Sequence, residues 1–337
     1  MKKKLDVLLI FDSPMPKPRG YTFADEFKLD DWKTENDVYQ ALCANGHHVR
    51  LLGMCRELNI LLDEIREHAP DAVFNLAEVF DNKAFLDKNI VCVLEMLNLP
   101  YTGSSPATMM VCNDKALHKK ILRFHRIRVP RFHDFYRGRR VWLPKRLKLP
   151  LIVKPLTDEA SRGISLASII DNAEALTERV QFIHEKMNMD AIVEEYIDGR
   201  EIYVSVMGTR RIVVLPHREM KFGNSTDDEP RIATYKAKWD EQYRRKWGIK
   251  NIFAGKLPEG VEAVINETCK RAYRTLNMDC YARFDIRVAQ NGCVYILEAN
   301  ANPNLGRDDE LAQSAEKAGI SYEQLIQRIL LMAFQRR

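Results

Sequence analysis

Four polar residues near the C-terminus are spaced so that they could hold a cation. In ARFDIRVAQNGCVYILEAN, residues 282–300, Asn291-Gly292 is a two-residue hairpin turn. Pairing outward from that turn sets Ile286 opposite Leu297, Asp285 opposite Glu298, Phe284 opposite Ala299 and Arg283 opposite Asn300. Strand alternation then gives Phe284, Ile286, Val288, Tyr295, Leu297 and Ala299 one apolar face. Arg283, Asp285, Glu298 and Asn300 share the other. Two carboxylates directly across a strand pair repel each other. A hard cation removes that cost and accepts carboxylate and amide oxygens, which suits Mg²⁺ rather than Zn²⁺. Its remaining ligands would come from phosphates. The alternative is an ordinary solvated face on which Arg283 neutralises the acids.

Lysines that could hold those phosphates are also present. LPLIVKP ends a strand at Lys154, and the turn Glu159-Ala160-Ser161-Arg162-Gly163 follows. Such a turn offers backbone N–H groups to phosphate oxygens, although GxxxxGK[ST] is absent. Lys115, after Asn113-Asp114, and Lys238, in TYKAKW, are further candidates. Taken alone, each reads as a solvated surface lysine. Glu194, Glu195 and Glu201 flank Asp198-Gly199 and, without context, form an acidic rim. The basic stretches at 137–140 and 243–247 fall in expected loops and read as solvated faces.

The elements that must position these residues fall into three sections. The first alternates strand and helix: LDVLLIF, a helix over 33–45, HHVRLLGM, LNILLDEIREH, DAVFNLA and a helix over 86–98. This order predicts a doubly wound parallel sheet. The second section holds a helix over about 107–125, the strand LPLIVKP, and an amphipathic helix from 171 with Asp171 as its N-cap. The third opens with AIVEEYIDGREIYVSVMG, where two β-rich runs flank Asp198-Gly199 and predict a hairpin. A polar stretch over about 217–260 has the length of a lid. A helix over 260–276, the hairpin described above and a helix over 321–335 complete the chain.

Composition narrows the function classes. The 337 residues are 46% hydrophobic, enough for a real core, and no apolar run reaches the roughly 18 residues of a membrane span. The N-terminal MKKKLDVLLIFD reads as a strand rather than a signal peptide, because Asp6 interrupts a short apolar run. Fifty-two basic against 47 acidic residues is too balanced for a dedicated nucleic-acid binder. Seven scattered cysteines without Cys-x-x-Cys argue against a disulfide framework or thiolate zinc and for a reducing cytosol.

LPYTGSS, NDKALHKKIL, LPLIVKP with EASRGIS, VEEYIDGRE, TYKAKW, ARFDIRV and LEANANP occur in that order. From about Val73 onward the chain resembles the ATP-grasp superfamily, and within it the D-alanine–D-alanine ligases. The resemblance implies an α/β fold of three lobes: 1–102, the doubly wound pre-ATP-grasp domain; 103–189, the small ATP-grasp lobe; and 190–337, with lid and metal site. It implies a cytoplasmic enzyme that phosphorylates a carboxylate with ATP and lets an amine attack the acylphosphate. Lys115 and Lys154 would contact the phosphates, under a loop containing Ser161, Arg162 and Gly163. Glu194 would face the adenine amino group, with backbone from Glu195 and Ile197 nearby, and Glu201 would bind the ribose. Lys238 would reach the γ-phosphate. Asp285, Glu298 and Asn300 would hold two Mg²⁺, or Mn²⁺, and Arg283 would stabilise the transferring phosphoryl group. The implied partners are amino acids or peptides and a second copy of the chain, with neither nucleic acid nor membrane.

The match departs at the amino-acid site. The family's glycine-rich N-terminal motif with its glutamate is replaced by DSPMPKPRGYTFADEFKLDDW, which offers no equivalent glutamate; Glu26 within it and Glu35 just after it are candidates. VFNLAEVFDNKAF stands where the family has a His-Gly and a Glu-Asp-Gly. Asp308 and Asp309 fall where the family grips an acceptor carboxylate; an acidic pair there favours a cationic or neutral partner. Lys17, Arg19 and Arg162 are candidates for the missing carboxylate contacts. A ligase with altered amino-acid specificity is the first reading. A ligase acting on a peptide or protein, with the basic stretch 137–148 holding an acidic partner, and a non-catalytic nucleotide-binding module are the alternatives.

Overall fold

A computed structural model describes residues 4–158, 161–223 and 232–335. The first section contains β1 (Asp6–Asp12), α1 (Lys33–Ala44), β2 (His48–Met54), α2 (Asn59–Glu67), β3 (Ala72–Asn75) and α3 (Asp87–Met96). The strands form a parallel sheet in the order β2-β1-β3, extended by a parallel bridge between Val73 and Tyr101. Val7, Leu9 and Phe11 of β1 pack toward α1, and Leu8 and Ile10 toward α2 and α3. Both faces of the sheet are therefore covered, which is why β1 is apolar without alternation.

The middle section runs through α4 (Pro106–Asn113), α5 (Lys115–Phe124), β4 (Phe132–Phe135), β5 (Leu151–Pro155), β6 (Ile169–Ile170), α6 (Ala173–Lys186) and β7 (Ala191–Glu195). Its antiparallel sheet, in the order β4-β7-β5-β6, packs Leu151, Val153 and Val193 against Leu176, Val180 and Ile183 of α6 in a core of its own.

The last section holds β8 (Arg200–Met207), β9 (Val213–Val214), β10 (Arg218–Lys221), α7 (Tyr235–Trp239), α8 (Glu241–Trp247), β11 (Lys250–Phe253), α9 (Val261–Thr275), β12 (Tyr281–Val288), β13 (Val294–Asn300), α10 (Glu310–Lys317) and α11 (Tyr322–Met332). The sheet order is β11-β10-β8-β12-β13, with β9 on β8. Ile202, Val204, Phe284, Ile286 and Ile296 pack on Ile265, Cys269 and Ala272 of α9, in a core continuous with that beneath β1. The α11 residues Leu325, Ile326 and Ile329 return to pack with α1.

Five expectations need correction. The helix over 107–125 is two helices: Asp114 leaves helical geometry (ψ 104°), and its carboxylate caps α5 by accepting from Ala116 and Leu117 N–H. The cap of α6 is Asn172, not Asp171. The β-runs around Asp198-Gly199 are no hairpin. β7 joins the middle sheet and β8 the last, with Gly199 (φ 147°) between them. In the β12–β13 pair, Arg283–Asn300, Phe284–Ala299 and Asp285–Glu298 pair as expected, but a bulge then sets Ile286 opposite Ile296. Ile296 thus enters the core, while Tyr295 and Leu297 stay half-buried outside it. The 217–260 stretch is not one open loop but carries β10, α7, α8 and β11; residues 224–231 lie outside the described residues. α10 was not foreseen, because its apolar face is short.

Candidate functional site

A cleft of about 720 Å³ lies between the middle and last sections. The strand end of β5 delivers Lys154, the first residue of α5 delivers Lys115, and the β7–β8 crossover delivers Glu194 to Ile197 and Glu201. Ser161 and Arg162 form its lip, and Lys238 of α7 with Asp285 and Glu298 closes the far end. Ser161 is held at φ 59°, a left-handed conformation uncommon outside glycine, and Gly163 follows at φ 68°. A Cβ on Gly163 would meet Met187 and Pro155. Glu159 and Ala160 lie outside the described residues.

The carboxylates in the cleft are matched by cations. Lys115 Nζ lies 3.0 Å from Glu298 and donates to the Asp158 carbonyl. Arg283 grips Asp285 through Nε (2.7 Å) and Nη2 (3.3 Å), and Lys238 Nζ is 3.8 Å from the same carboxylate. Asn300 donates to Asp285 (3.2 Å). Burial first, and Glu298 beside it, push Asp285 above the ordinary carboxylate range, partly countered by Arg283 and Lys238. Burial acts on Glu298 too, but Lys115, Lys238 and Lys154 outweigh it and hold its carboxyl well below that range.

Deeper in, Glu194 is fully buried between Lys154 (3.0 Å) and Lys119 (3.0 Å). Burial opposes its charge, but the two lysines prevail and bring its carboxyl down to about 2. Lys119 is itself fully buried and also donates to the Leu297 carbonyl, at the bulge. The sequence reading missed Lys119. Its signal was spacing: Lys115 and Lys119 are four apart and so share one face of α5. Arg287 and Tyr203 were missed as well. Arg287 Nη2 contacts Glu201 at 2.6 Å and the Tyr203 hydroxyl donates to it at 3.2 Å, so both Glu201 oxygens are fixed. Glu195 lines the cleft, yet its carboxylate accepts from Lys148 N–H (3.0 Å).

A second, wider cleft of about 1880 Å³ opens from the first. Arg283 and Asn300 line it, with Arg162, Lys238 and Glu298 shared between the two. Its walls bring in Glu78, Asp87, Asp308, Asp309 and Glu310. Asp309 accepts from Gly306 N–H (3.0 Å), and burial pushes its carboxyl up to about 6. The N-terminal candidates lie elsewhere. Glu26 is taken by Lys17 (2.6 Å), and Arg19 pairs with Glu67. Glu35 is half-buried, one carboxylate oxygen has no partner, and burial raises its pKa. None of these four candidates lines either cleft.

The donors fit a hard divalent cation. Two facing carboxylates and an amide offer only oxygen, and lysines and an arginine at present balance the acids. Among the described residues, no three His, Cys, Asp or Glu side chains converge on a metal position.

Residues 124–331 match the family model described as the D-ala D-ala ligase C-terminus. An uncharacterised protein of Sinorhizobium fredii, y4sG, is 30% identical over 96% of this chain and 90% of its own length. D-alanine–D-alanine ligase A of Bacillus cereus is 29% identical over 88% of this chain and 91% of its own. Among solved structures, D-alanine–D-alanine ligase from Bacillus anthracis complexed with ATP superposes with a TM-score of 0.73 at 22% identity, covering 98% of each chain. The Coxiella burnetii ligase gives 0.71 at 17%, covering 98% of this chain and 94% of its own. The fold is that of these ATP-grasp proteins.

Proposed function

We infer from the site that this chain, which belongs to the D-alanine–D-alanine ligase family, is an ATP-dependent carboxylate–amine ligase that forms an amide through an acylphosphate. One observation carries the reading: Lys115, Lys154 and Lys238 converge with Asp285 and Glu298 in one cleft, and Arg283 and Asn300 stand at its mouth on the second. A phosphoryl group in transfer spreads charge over its oxygens, so catalysis of this step is mainly positioning and cationic stabilisation.

In this reading Lys115 and Lys154 bind the nucleotide phosphates and the Ser161–Gly163 turn covers them. The adenine lies along Glu194 to Ile197, and Glu201, fixed by Arg287 and Tyr203, takes the ribose hydroxyls. Asp285, Glu298 and Asn300 would hold Mg²⁺, which neutralises the phosphates when bound. Lys238 approaches the γ-phosphate, and Arg283 faces the transferring group from the second cleft. Enclosure by the described part of the 217–260 segment, from which Lys238 enters the cleft, keeps water from the acylphosphate. The same reading divides the chain at 102/103 and 189/190, and sets it in the cytoplasm as a homodimer through the first section.

The second cleft takes the amino-acid substrates. Asp309 on its wall, beside an Asp308 that is held by Lys33, disfavours an acceptor carboxylate, so the acceptor is cationic or neutral and two D-alanines are not the pair used. A peptide or protein acceptor is the second reading, favoured by the reworked loops at the amino-acid site and by the exposed basic residues of the stretch 137–148. The test uses hydroxylamine in place of the acceptor, with MgATP and a panel of D- and L-amino acids and short peptides as donors. Hydroxamate and ADP formed with at least one donor is the expected result. ATP binding without hydroxamate from any donor contradicts the ligase reading. Efficient D-Ala–D-Ala synthesis contradicts only the specificity.

A further inference from the structure

One surface of the middle section is unused by this mechanism. Residues 120–148 hold eleven Lys and Arg against a single acid, Asp134, leaving 41 basic and 46 acidic residues for the rest of the chain. The positive charge is thus concentrated in one 29-residue segment of an otherwise acidic molecule. The fold turns part of it into a concave feature. Arg123, Arg131, Lys145, Arg146 and Lys148 line a groove of about 1380 Å³ beside β4, together with Trp142. All five cations are exposed, none makes an ion pair among the described residues, and no carboxylate lines the groove. Like charges gathered without counterions repel one another and gain from an anionic ligand.

The groove abuts the nucleotide cleft. Glu195 N–H donates to the Arg131 carbonyl (2.8 Å), Tyr196 N–H to the Pro150 carbonyl (3.0 Å), and Lys148 N–H to the Glu195 carboxylate (3.0 Å). The cleft wall at 195–196 is therefore bonded to residues at both sides of the groove.

We propose that this groove docks an acidic polypeptide segment, one rich in Asp and Glu. Three of the five cations are arginines, whose planar fork matches carboxylates in bidentate fashion. A concave groove suits an extended chain better than a flat anionic membrane. Single-stranded nucleic acid needs open aromatic faces for its bases to stack on. Trp142, edge-on to His133 (centroids 5.1 Å) and Phe135 (5.3 Å), is the one exposed aromatic among the residues lining the groove, too few for successive bases to stack on. The docking does not depend on the ligase reading, and its test does not use turnover as its readout.

The experiment is fluorescence anisotropy of the full chain with a labelled twelve-residue Glu/Asp peptide, run beside a neutral peptide, a single-stranded oligonucleotide and phosphatidylserine vesicles. Tryptophan emission, to which Trp142 in the groove contributes, is followed in parallel. The expected result is saturable binding of the acidic peptide, at least tenfold tighter than the other three probes and weakening steeply from 50 to 200 mM salt. Lys145→Glu with Arg146→Glu should reduce it at least tenfold, while the thermal melting point and ATP binding stay as in wild type. Absence of binding overturns the proposal, as does equal affinity for the neutral peptide. Preferential binding of the oligonucleotide or vesicles overturns it in favour of that ligand. Salt-sensitive self-association in sedimentation, abolished by the same double variant, assigns the groove to a second copy and also overturns it.

Discussion

Glu194 and its two lysines are the clearest residue-scale commitment. A buried carboxylate with two buried ammonium partners is tolerable only while all three are present. Glu194→Gln would leave two uncompensated charges and is expected to cost about 3–5 kcal/mol in urea unfolding. Asp285→Asn is expected to cut turnover by at least a hundredfold, the scale of losing one group that stabilises developing charge, with the melting point held within a few degrees. Wild-type turnover in that variant would remove Asp285 from the metal set. The sequence made Arg283, Asp285, Glu298 and Asn300 legible, because a short turn fixes register near itself. It did not reveal the bulge beside Glu298, since an inserted residue leaves no mark on an apolar run. It also hid Lys119, one lysine in HKK, whose partners are 75 and 178 residues away.

At the scale of elements, the β7–β8 crossover is the part most easily misread. Two β-runs around Asp-Gly look like a hairpin, and only the pairing partners of each strand show that they serve different sheets. Those partners are distant in sequence and cannot be read locally. The same crossover presents the residues assigned to adenine and ribose, so its geometry bears on nucleotide binding. Gly199 sits at φ 147°, and a Cβ there would collide with the Val288 carbonyl. Gly199→Ala is therefore expected to weaken ATP binding at least tenfold by calorimetry, whereas Gly138→Ala, at an open loop position, leaves it unchanged. The break at Asp114 is a second such case. NDK reads as the interior of one helix, yet the Asp114 carboxylate competes for the backbone and starts α5 anew, which places Lys115 and Lys119. Asp114→Ala is expected to cost about 1 kcal/mol in urea unfolding.

For the whole molecule, stability should respond to acid through groups whose protonation differs between folded and unfolded chains. His118 is fully buried, and burial, with Lys119 beside it, lowers its pKa to about 3. The unfolded chain therefore binds that proton first, and this contribution is lost as pH falls from 6.5 toward 3. Glu194, brought down to about 2, adds a further loss below 4.5. Asp12 and Asp309, raised to about 6 by burial, act in the opposite sense between 6 and 3.8. The separable prediction is a difference: relative to His118→Gln, wild type loses about 1.4 kcal/mol per pH unit between 6 and 4.5 in urea unfolding. A pH-independent difference would contradict it. The alternation of elements and the two-faced burial of β1 were readable from the first hundred residues, because strand and helix periodicities are local. The continuous core joining the first and last sections, and the return of α11 onto α1, were not, since they depend on contacts between the chain's two ends.

The central claim concerns the reaction. The direct measurement is turnover of an ¹⁸O-carboxylate donor with MgATP and an amine acceptor, read by mass spectrometry of nucleotide, phosphate and product. The account predicts one ADP and one phosphate per amide formed, with one carboxylate ¹⁸O carried into the phosphate. Release of AMP and pyrophosphate, or ADP with no ¹⁸O in the phosphate, would contradict it.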